Sequence, residues 1–493
     1  MSALQELRAL LRFRPLQLLG LAGFLAAIGG ISFHLKYCVL DLDIWWHLKV
    51  GDWILANRAV PHTGILSRTA ATRPWVAYSW GYEVLLSWAY RWFGLLGVGV
   101  FGTLLTIAIA YAVYWMLRRL SGRFWVALAL AAVVCSAFLF NGMPRPFFFS
   151  VVFFCVVLTL VLEANRSGRV ELLYWLPLIF VVWANLHIQF IYGLFLIVLL
   201  VGVNVAQRMA AYFGVAPSFL LPPTLPLGKL LAIFAATVLA TLLGPNLYHP
   251  YQAVYEYSKA KFTYTIIIEL QPLSFRGYSH YAELMLTAFA FFAVGWRRKI
   301  DLFKLAMLTA CSVVAYRTMR DAWFICIPAA ACIADFPASE EQRDKPDSSL
   351  ELSGVAAAVL VLLFLFSRGT NFSERSLDGM ISANYPVDAV NFLRRNPPPG
   401  PLYNNLNWGG FLMWYMPDYP VAIDGRNDLY GDDLDKLFYH SENADDSYTS
   451  DPYLNDAGVV LLESAVPLAK VLTVDPRFKL VYQDSIAVVF VRR

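Results

Sequence analysis

The chain has 493 residues, of which 58% are hydrophobic and only 15% charged, and its mean hydropathy is +0.54. Soluble domains carry about 25% charged residues, so the composition excludes an ordinary soluble domain and indicates a membrane protein. The formal net charge of +4 is spread thinly with no basic block, which gives no reason to expect nucleic acid as a partner.

A bilayer core takes roughly 20 apolar residues per helix, and runs of that kind are expected at about 15–37, 94–117, 124–141, 146–163, 171–187, 188–207, 228–244, 279–296, 302–316, 321–335 and 353–368. This pattern predicts an α-helical polytopic membrane protein with about eleven transmembrane helices. Arg8, Arg12 and Arg14 precede the first run, and Arg118, Arg119 and Arg123 lie between the second and third. Arg166, Arg169, Arg208, Arg297, Arg298 and Lys299 follow at later alternate junctions. The positive-inside rule then places the N-terminus in the cytoplasm and, with an odd number of spans, the tail outside. Arg317 and Arg320 break the pattern. The first run lacks a clear small-residue cleavage site and reads as a retained anchor rather than a signal peptide.

Directly after the first run comes Asp41-Leu42-Asp43-Ile44-Trp45-Trp46-His47. It opens a long first outer loop, about 38–93, in which 45–56 and 80–92 are expected to form interfacial helices. A carboxylate in a partly dry cleft is raised toward working pH and can serve as a general base, so Asp41 and Asp43 are the catalytic candidates. As a bland alternative, they are helix-end aspartates. Trp45, Trp46 and Trp53 suit interfacial anchoring or stacking on a sugar face, and His47 could position a phosphate or the base. Glu83 follows Trp75 and Trp80, ahead of the second span.

Further along, Arg145 sits in Met143-Pro144-Arg145-Pro146 and His187 ends Trp183-Ala184-Asn185-Leu186-His187. With Arg317 and Arg320 they map to the same outer face. Charged groups at this depth are costly, so they are either functional or paired, for example with Glu269 or Asp321. Several cations on one side suit a phosphate or pyrophosphate, which arginine binds bidentately. Glu269 lies in a second long outer loop, about 245–278, and the stretch 336–352 with Glu340, Glu341, Arg343, Asp344 and Lys345 reads as a solvated linker.

The composition changes after about residue 369, where short apolar runs alternate with turns, giving a small C-terminal α/β domain. Strands are expected at Pro401–Tyr403, Pro420–Ile423, Gly458–Leu462, Lys479–Tyr482 and Ile486–Val491, with the last two forming a hairpin near Asp484-Ser485. Helices are expected near 386–395 and 465–473. The division is therefore a transmembrane domain over 1–368 and an extracytoplasmic α/β domain over 369–493. Asn407-Trp408-Gly409-Gly410 and Asp424-Gly425-Arg426-Asn427-Asp428 stand out in the tail, the latter chiefly as a tight turn with a structural Asp–Arg pair. The six cysteines show no CxxC spacing and read as small buried hydrophobes. No cofactor is indicated. Asp, Glu and His side chains could in principle hold a divalent ion, but no ligand spacing marks one.

Asp41-x-Asp43-x-Trp45-Trp46-His47-Leu48-x-x-Gly51-x-Trp53-Ile54, Pro61-His62-Thr63, Trp75 to Glu83, Arg145-Pro146, the Trp183–His187 motif and the Asp424-Gly425-Arg426 tail together resemble bacterial multi-spanning proteins related to the GT-C glycosyltransferases. The resemblance covers most of the chain and implies an inverting membrane glycosyltransferase of the bacterial inner membrane. Its donor would be a polyprenyl-phosphate-linked sugar, and its acceptor an unidentified glycan, lipid or protein on the outer face. Asp41 or Asp43 would match the family's base. Arg145, His187, Arg317 and Arg320 would hold the lipid phosphate as it leaves, because stabilising the charge on the leaving oxygen lowers the barrier. A non-enzymatic transporter or envelope assembly factor that binds lipid-linked glycans is the competing expectation.

Overall fold

The computed structural model describes residues 13–35, 37–139, 145–336, 347–368 and 373–493. Arg8, Arg12, Met143, Pro144 and the linker charges Glu340, Glu341, Arg343, Asp344 and Lys345 lie outside the described residues. A helix stands at each expected apolar run: Arg14–Leu35, the later part of Trp80–Ser121, Phe124–Phe138, Phe147–Ser167, Leu176–Leu186, Phe190–Tyr212, Leu227–Ala240, Tyr278–Gly295, Leu302–Arg317, Trp323–Ala334 and Ser348–Ser367. Among the described residues, 5 are long and apolar enough to cross a membrane, namely those at 14–34, 80–121, 147–167, 190–212 and 348–365. Local chemistry fixes several ends. Asp301 accepts the backbone N–H groups of Phe303 and Lys304, and Asp347 those of Ser349 and Leu350, caps worth about 1 kcal/mol each.

Packing divides the chain into two compact units. One comprises 1–35, 102–244 and 268–370; the other comprises 36–101, 245–267 and 371–493. Residues 36–101, from the first expected loop, and 245–267, from the second, thus cluster with the tail.

The first unit is helical. Helix Arg14–Leu35 packs on Ser348–Ser367, and Trp323–Ala334 packs on Tyr278–Gly295, Leu302–Arg317 and Phe124–Phe138. Its core is aromatic: Trp323 lies edge-on to Phe154 at 5.3 Å, and Tyr192 stacks on Phe324 at 4.4 Å. Cys135, Cys155, Cys311, Cys326 and Cys332 are buried free thiols, as the sequence indicated.

The second unit carries a four-stranded sheet of β1 (Leu402–Asn404), β2 (Val459–Glu463), β3 (Phe478–Gln483) and β4 (Ala487–Arg492), in the order β1-β2-β4-β3. The β1–β2 pair is parallel, β2–β4 and β3–β4 are antiparallel, and a bulge interrupts β3 between Leu480 and Tyr482. The expected hairpin and helices near 386–395 and 465–473 are present as β3–β4, Val387–Arg395 and Pro467–Leu472. Pro420–Ile423 is not a strand of this sheet. Val421 pairs instead with the first outer loop, accepting from the Arg68 N–H at 2.8 Å and donating to the Leu66 carbonyl at 3.1 Å.

Helices Ile44–Asn57 and Trp80–Ser121 frame the first loop. Gly51 lets them meet, since a Cβ there would lie 2.0 Å from the Glu83 carbonyl oxygen. The second helix breaks at Phe93 and Gly94, where Gly94 takes φ +59. The Leu96 N–H beyond the break is accepted by Glu374 at 3.1 Å. Ahead of the break Trp88 and Trp92 are exposed with stacked rings, consistent with the amphipathic face expected over 80–92.

Candidate functional site

The Asp41–His47 segment turns from the end of one short helix, Tyr37–Leu40, into the next, Ile44–Asn57. Asp41 is buried, and its Oδ1 accepts the N–H of Asp43 at 3.1 Å, so it stiffens the turn. Asp43 is half-buried, and its Oδ1 accepts the Trp46 indole N–H at 3.1 Å. The Trp46 ring lies on His47, with centroids 3.5 Å apart. His47 Nδ1 is 3.2 Å from Glu83 Oε1. The chain of contacts therefore runs from carboxylate through indole and imidazole to a second, buried carboxylate.

The tail closes over this segment. Gly425 lies against Asp43, where a Cβ would come within 2.1 Å of Oδ1, and Gly410 lies against the Leu42 carbonyl at 2.9 Å. Gly409 makes the same kind of approach to the Ile423 carbonyl at 2.0 Å. The glycines of both tail motifs are thus explained by close backbone packing, which only a residue without Cβ allows. Arg426 forms a fork with Asp424, Nε to Oδ1 at 2.8 Å and Nη2 to Oδ2 at 2.7 Å. Tyr430 donates to Asp424 Oδ2 at 2.7 Å, and Arg426 also donates to the Ile65 carbonyl at 3.0 Å. The guanidinium lies 4.8 Å from the Trp75 ring centre. Trp75 in turn donates to Asp428 at 3.1 Å.

Trp45 is 1% exposed and packs edge-on against Tyr385, Phe411 and Tyr415. Trp46 and His47, at 7% and 4% exposed, are also inside.

Residues 245–267, the first part of the second expected loop, belong to the same unit. Asp432 accepts the N–H groups of Lys261, Phe262 and Thr263 at 2.7, 2.9 and 3.2 Å. Although burial would raise it, those donors push its carboxyl down to about 2. Thr263 Oγ1 also donates to Asp435 Oδ2 at 3.0 Å. Asp435 is buried, and desolvation, opposed by the Thr263 bond and aided by Asp432, Asp433 and Asp428, pushes it up to about 7.

The other unit holds the expected outer-side cations. Arg145 Nη1 reaches both oxygens of Glu269, at 3.1 and 3.4 Å, and Arg320 Nη2 reaches Oε1 at 3.6 Å. Burial raises the Glu269 carboxyl, but Arg320 and Arg145 outweigh it and hold it below the usual range. His187 is buried, with Nδ1 2.9 Å from Ser150 Oγ, the oxygen that also accepts from Trp183 at 2.8 Å. Arg320 acts on His187 electrostatically. Arg317 is exposed at the end of its helix. Asp321, the other expected partner, accepts from Thr318 at 2.7 Å and Gln189 at 3.4 Å.

Glu83 is the residue whose place in the site went unread in the sequence. The signal was there: Glu83 is the one acid in the helix Trp80–Ser121, in a first turn otherwise made of aromatic and small residues. Among the described residues, no group of three or more His, Cys, Asp or Glu is arranged to hold a metal ion.

No protein-family model and no curated protein matches the sequence. The fold does have solved counterparts. The apo oligosaccharyltransferase of Archaeoglobus fulgidus superposes with a TM-score of 0.50 at 11% identity, over 90% of this chain and 69% of that one. The oligosaccharyltransferase AglB of Archaeoglobus fulgidus, solved with an inhibitory peptide and a dolichol-phosphate, gives 0.49 at 11% identity, over 89% and 69%. ArnT from Cupriavidus metallidurans, bound to undecaprenyl phosphate, gives 0.44 at 14%, over 96% and 98%. At such identities the likeness is one of fold, and the first of these matches carries it. The chain shares the fold of that oligosaccharyltransferase, a set of apolar helices with a small C-terminal α/β region.

Proposed function

We propose that this protein is a membrane glycosyltransferase that moves a sugar, with inversion, from a polyprenyl-phosphate donor to an acceptor on the outer face of a bacterial inner membrane. The observation that carries the reading is the setting of Asp43: a half-buried carboxylate held on one oxygen by an indole N–H, in a fold shared with an oligosaccharyltransferase. In this reading Asp43 takes the acceptor proton as the acceptor attacks the anomeric carbon. Asp41, buried and bonded to the Asp43 N–H, orients it. Arg145 and Arg320, with His187 and Arg317 on the same expected face, bind the phosphate of the lipid carrier. Glu269 lies between the first two.

Purified protein supplied with polyprenyl-phosphate sugars and candidate acceptors tests this. Asp43→Asn should cut transfer by about 10²–10⁴-fold, the usual worth of a general base, with unchanged thermal stability. Asp41→Asn should cost less in rate and some stability. Full transfer by both variants would end the assignment.

The burial of Asp41, Trp46 and His47 favours one second reading, in which the segment is a structural keystone and the protein binds lipid-linked glycans without transferring them. Tight glycan-lipid binding with no turnover on any donor would select it.

A further inference from the structure

Glu269 contacts both Arg145 and Arg320, touching the first with both oxygens and the second with one. A carboxylate bridging two guanidiniums occupies the position, and offers the paired acceptor oxygens, that a phosphate would offer them. The three side chains are partly open to the surroundings, at 19%, 42% and 35% exposed for Arg145, Glu269 and Arg320. A cluster open on one side to its surroundings is less committed to one partner than a fully buried pair, so one anion can be exchanged for another. The backbone beside it is fixed. Glu269 lies in the single turn Ile268–Leu270, and the next carbonyl, that of Gln271, accepts the Met319 N–H at 3.0 Å. The side chain can therefore leave the arginines without unravelling the loop.

We infer that Glu269 is a placeholder: it occupies the anion position between Arg145 and Arg320 and is displaced when the phosphate of a lipid-linked donor or product arrives. The inference rests on the proposed phosphate role of the two arginines and assigns the neighbouring carboxylate a role of its own. Glu269 keeps the guanidiniums spaced and neutralised when the site is empty, and it sets the affinity threshold that a ligand must exceed. A neutral lipid cannot evict it, whereas a phosphate, with more charge and more acceptor oxygens, can.

The experiment measures binding of undecaprenyl phosphate to the full chain in detergent, for wild type, Glu269→Gln, Glu269→Asp, Arg145→Ala and Arg320→Ala, with inorganic phosphate as competitor. Glu269→Gln should bind about tenfold more tightly than wild type, because the internal competitor has lost its charge. Glu269→Asp, one methylene shorter, should fall between them and guards against a folding defect in the amide variant. Both alanine variants should bind more weakly. Inorganic phosphate should compete with the lipid if the site reads the anion alone, and should fail to compete if the chain of the lipid is needed for entry. Unchanged or weaker binding by Glu269→Gln and Glu269→Asp, with the alanine variants still impaired, overturns the placeholder and leaves the phosphate site standing. Wild-type binding by both alanine variants overturns the phosphate site itself.

Discussion

The two units use the same chemistry, a guanidinium against a carboxylate, to opposite ends. In the unit with the sheet, Asp424 and Arg426 are both 0% exposed and joined by a two-point fork. Asp424 also takes the Tyr430 hydroxyl, and Arg426 lies over Trp75. In the helical unit, Arg145 and Arg320 share Glu269 at longer distances, with 19% and 35% of their own side chains exposed. A buried ion pair cannot lose one member without stranding the other, whereas an open one can exchange partners. The first arrangement fixes a backbone; the second keeps an anion site ready.

The sharpest way to break this comparison is to delete one member of each pair. Asp424→Ala should cost about 3–5 kcal/mol of stability, since it leaves Arg426 buried and uncompensated, and thermal unfolding of the detergent-solubilised protein reads the loss. Gly425→Ala tests the glycine contact beneath Asp43. The added methyl would lie 2.1 Å from Oδ1, so about 1–3 kcal/mol should be lost, together with catalytic rate as Asp43 is pushed aside. A smaller effect comes from Asp435. Its ordinary pKa is near 3.9, and the folded chain holds it at about 7. Between those values the folded form keeps a proton that the unfolded form has lost, so stability falls as pH rises through that window and levels off above it. Asp435→Asn should flatten the slope and raise the unfolding midpoint at pH 8. An unchanged slope would place the titration elsewhere. The least effect on stability should come from Arg145→Ala, under about 1 kcal/mol, even as phosphate binding declines. If Arg145→Ala unfolds the protein as readily as Asp424→Ala, the contrast between the units is false.

The helices were legible because a long apolar run is a compositional signal that needs no partner to be recognised. The hairpin β3–β4 was legible for a similar reason, as two alternating runs close in sequence. What escaped depends on distant residues. Val421 has the composition of a sheet strand, yet its hydrogen bonds go to Leu66 and Arg68. Helix Asn427–Glu442 buries Leu429, Tyr430, Leu434 and Phe438, but the break at Gly431 and the acids Asp428, Asp432, Asp433 and Asp435 among them mask that face in the sequence. In the candidate site, the importance of Asp41 and Asp43 could be seen from their density beside an apolar run. That Trp45 serves the core of the tail could not, because Tyr385, Phe411 and Tyr415 lie hundreds of residues away. The Asp–Arg pair of the tail was legible because its members are neighbours in sequence.

The interleaving of the first loop with the tail sets a timetable for biosynthesis. Arg426 reaches the Ile65 carbonyl across 361 residues of chain, and Tyr385 reaches the Leu40 carbonyl across 345. At about 5–20 residues per second, the ribosome needs roughly 20–70 s to supply the second half of each contact. During that interval Trp45 has left the ribosome without the ring partners Tyr385, Phe411 and Tyr415. The nascent loop must wait, exposed and aromatic, until the last quarter of the polypeptide arrives. A truncation within the tail would therefore strand the earliest part of the fold, and its first casualty would be the loop that bears Asp43.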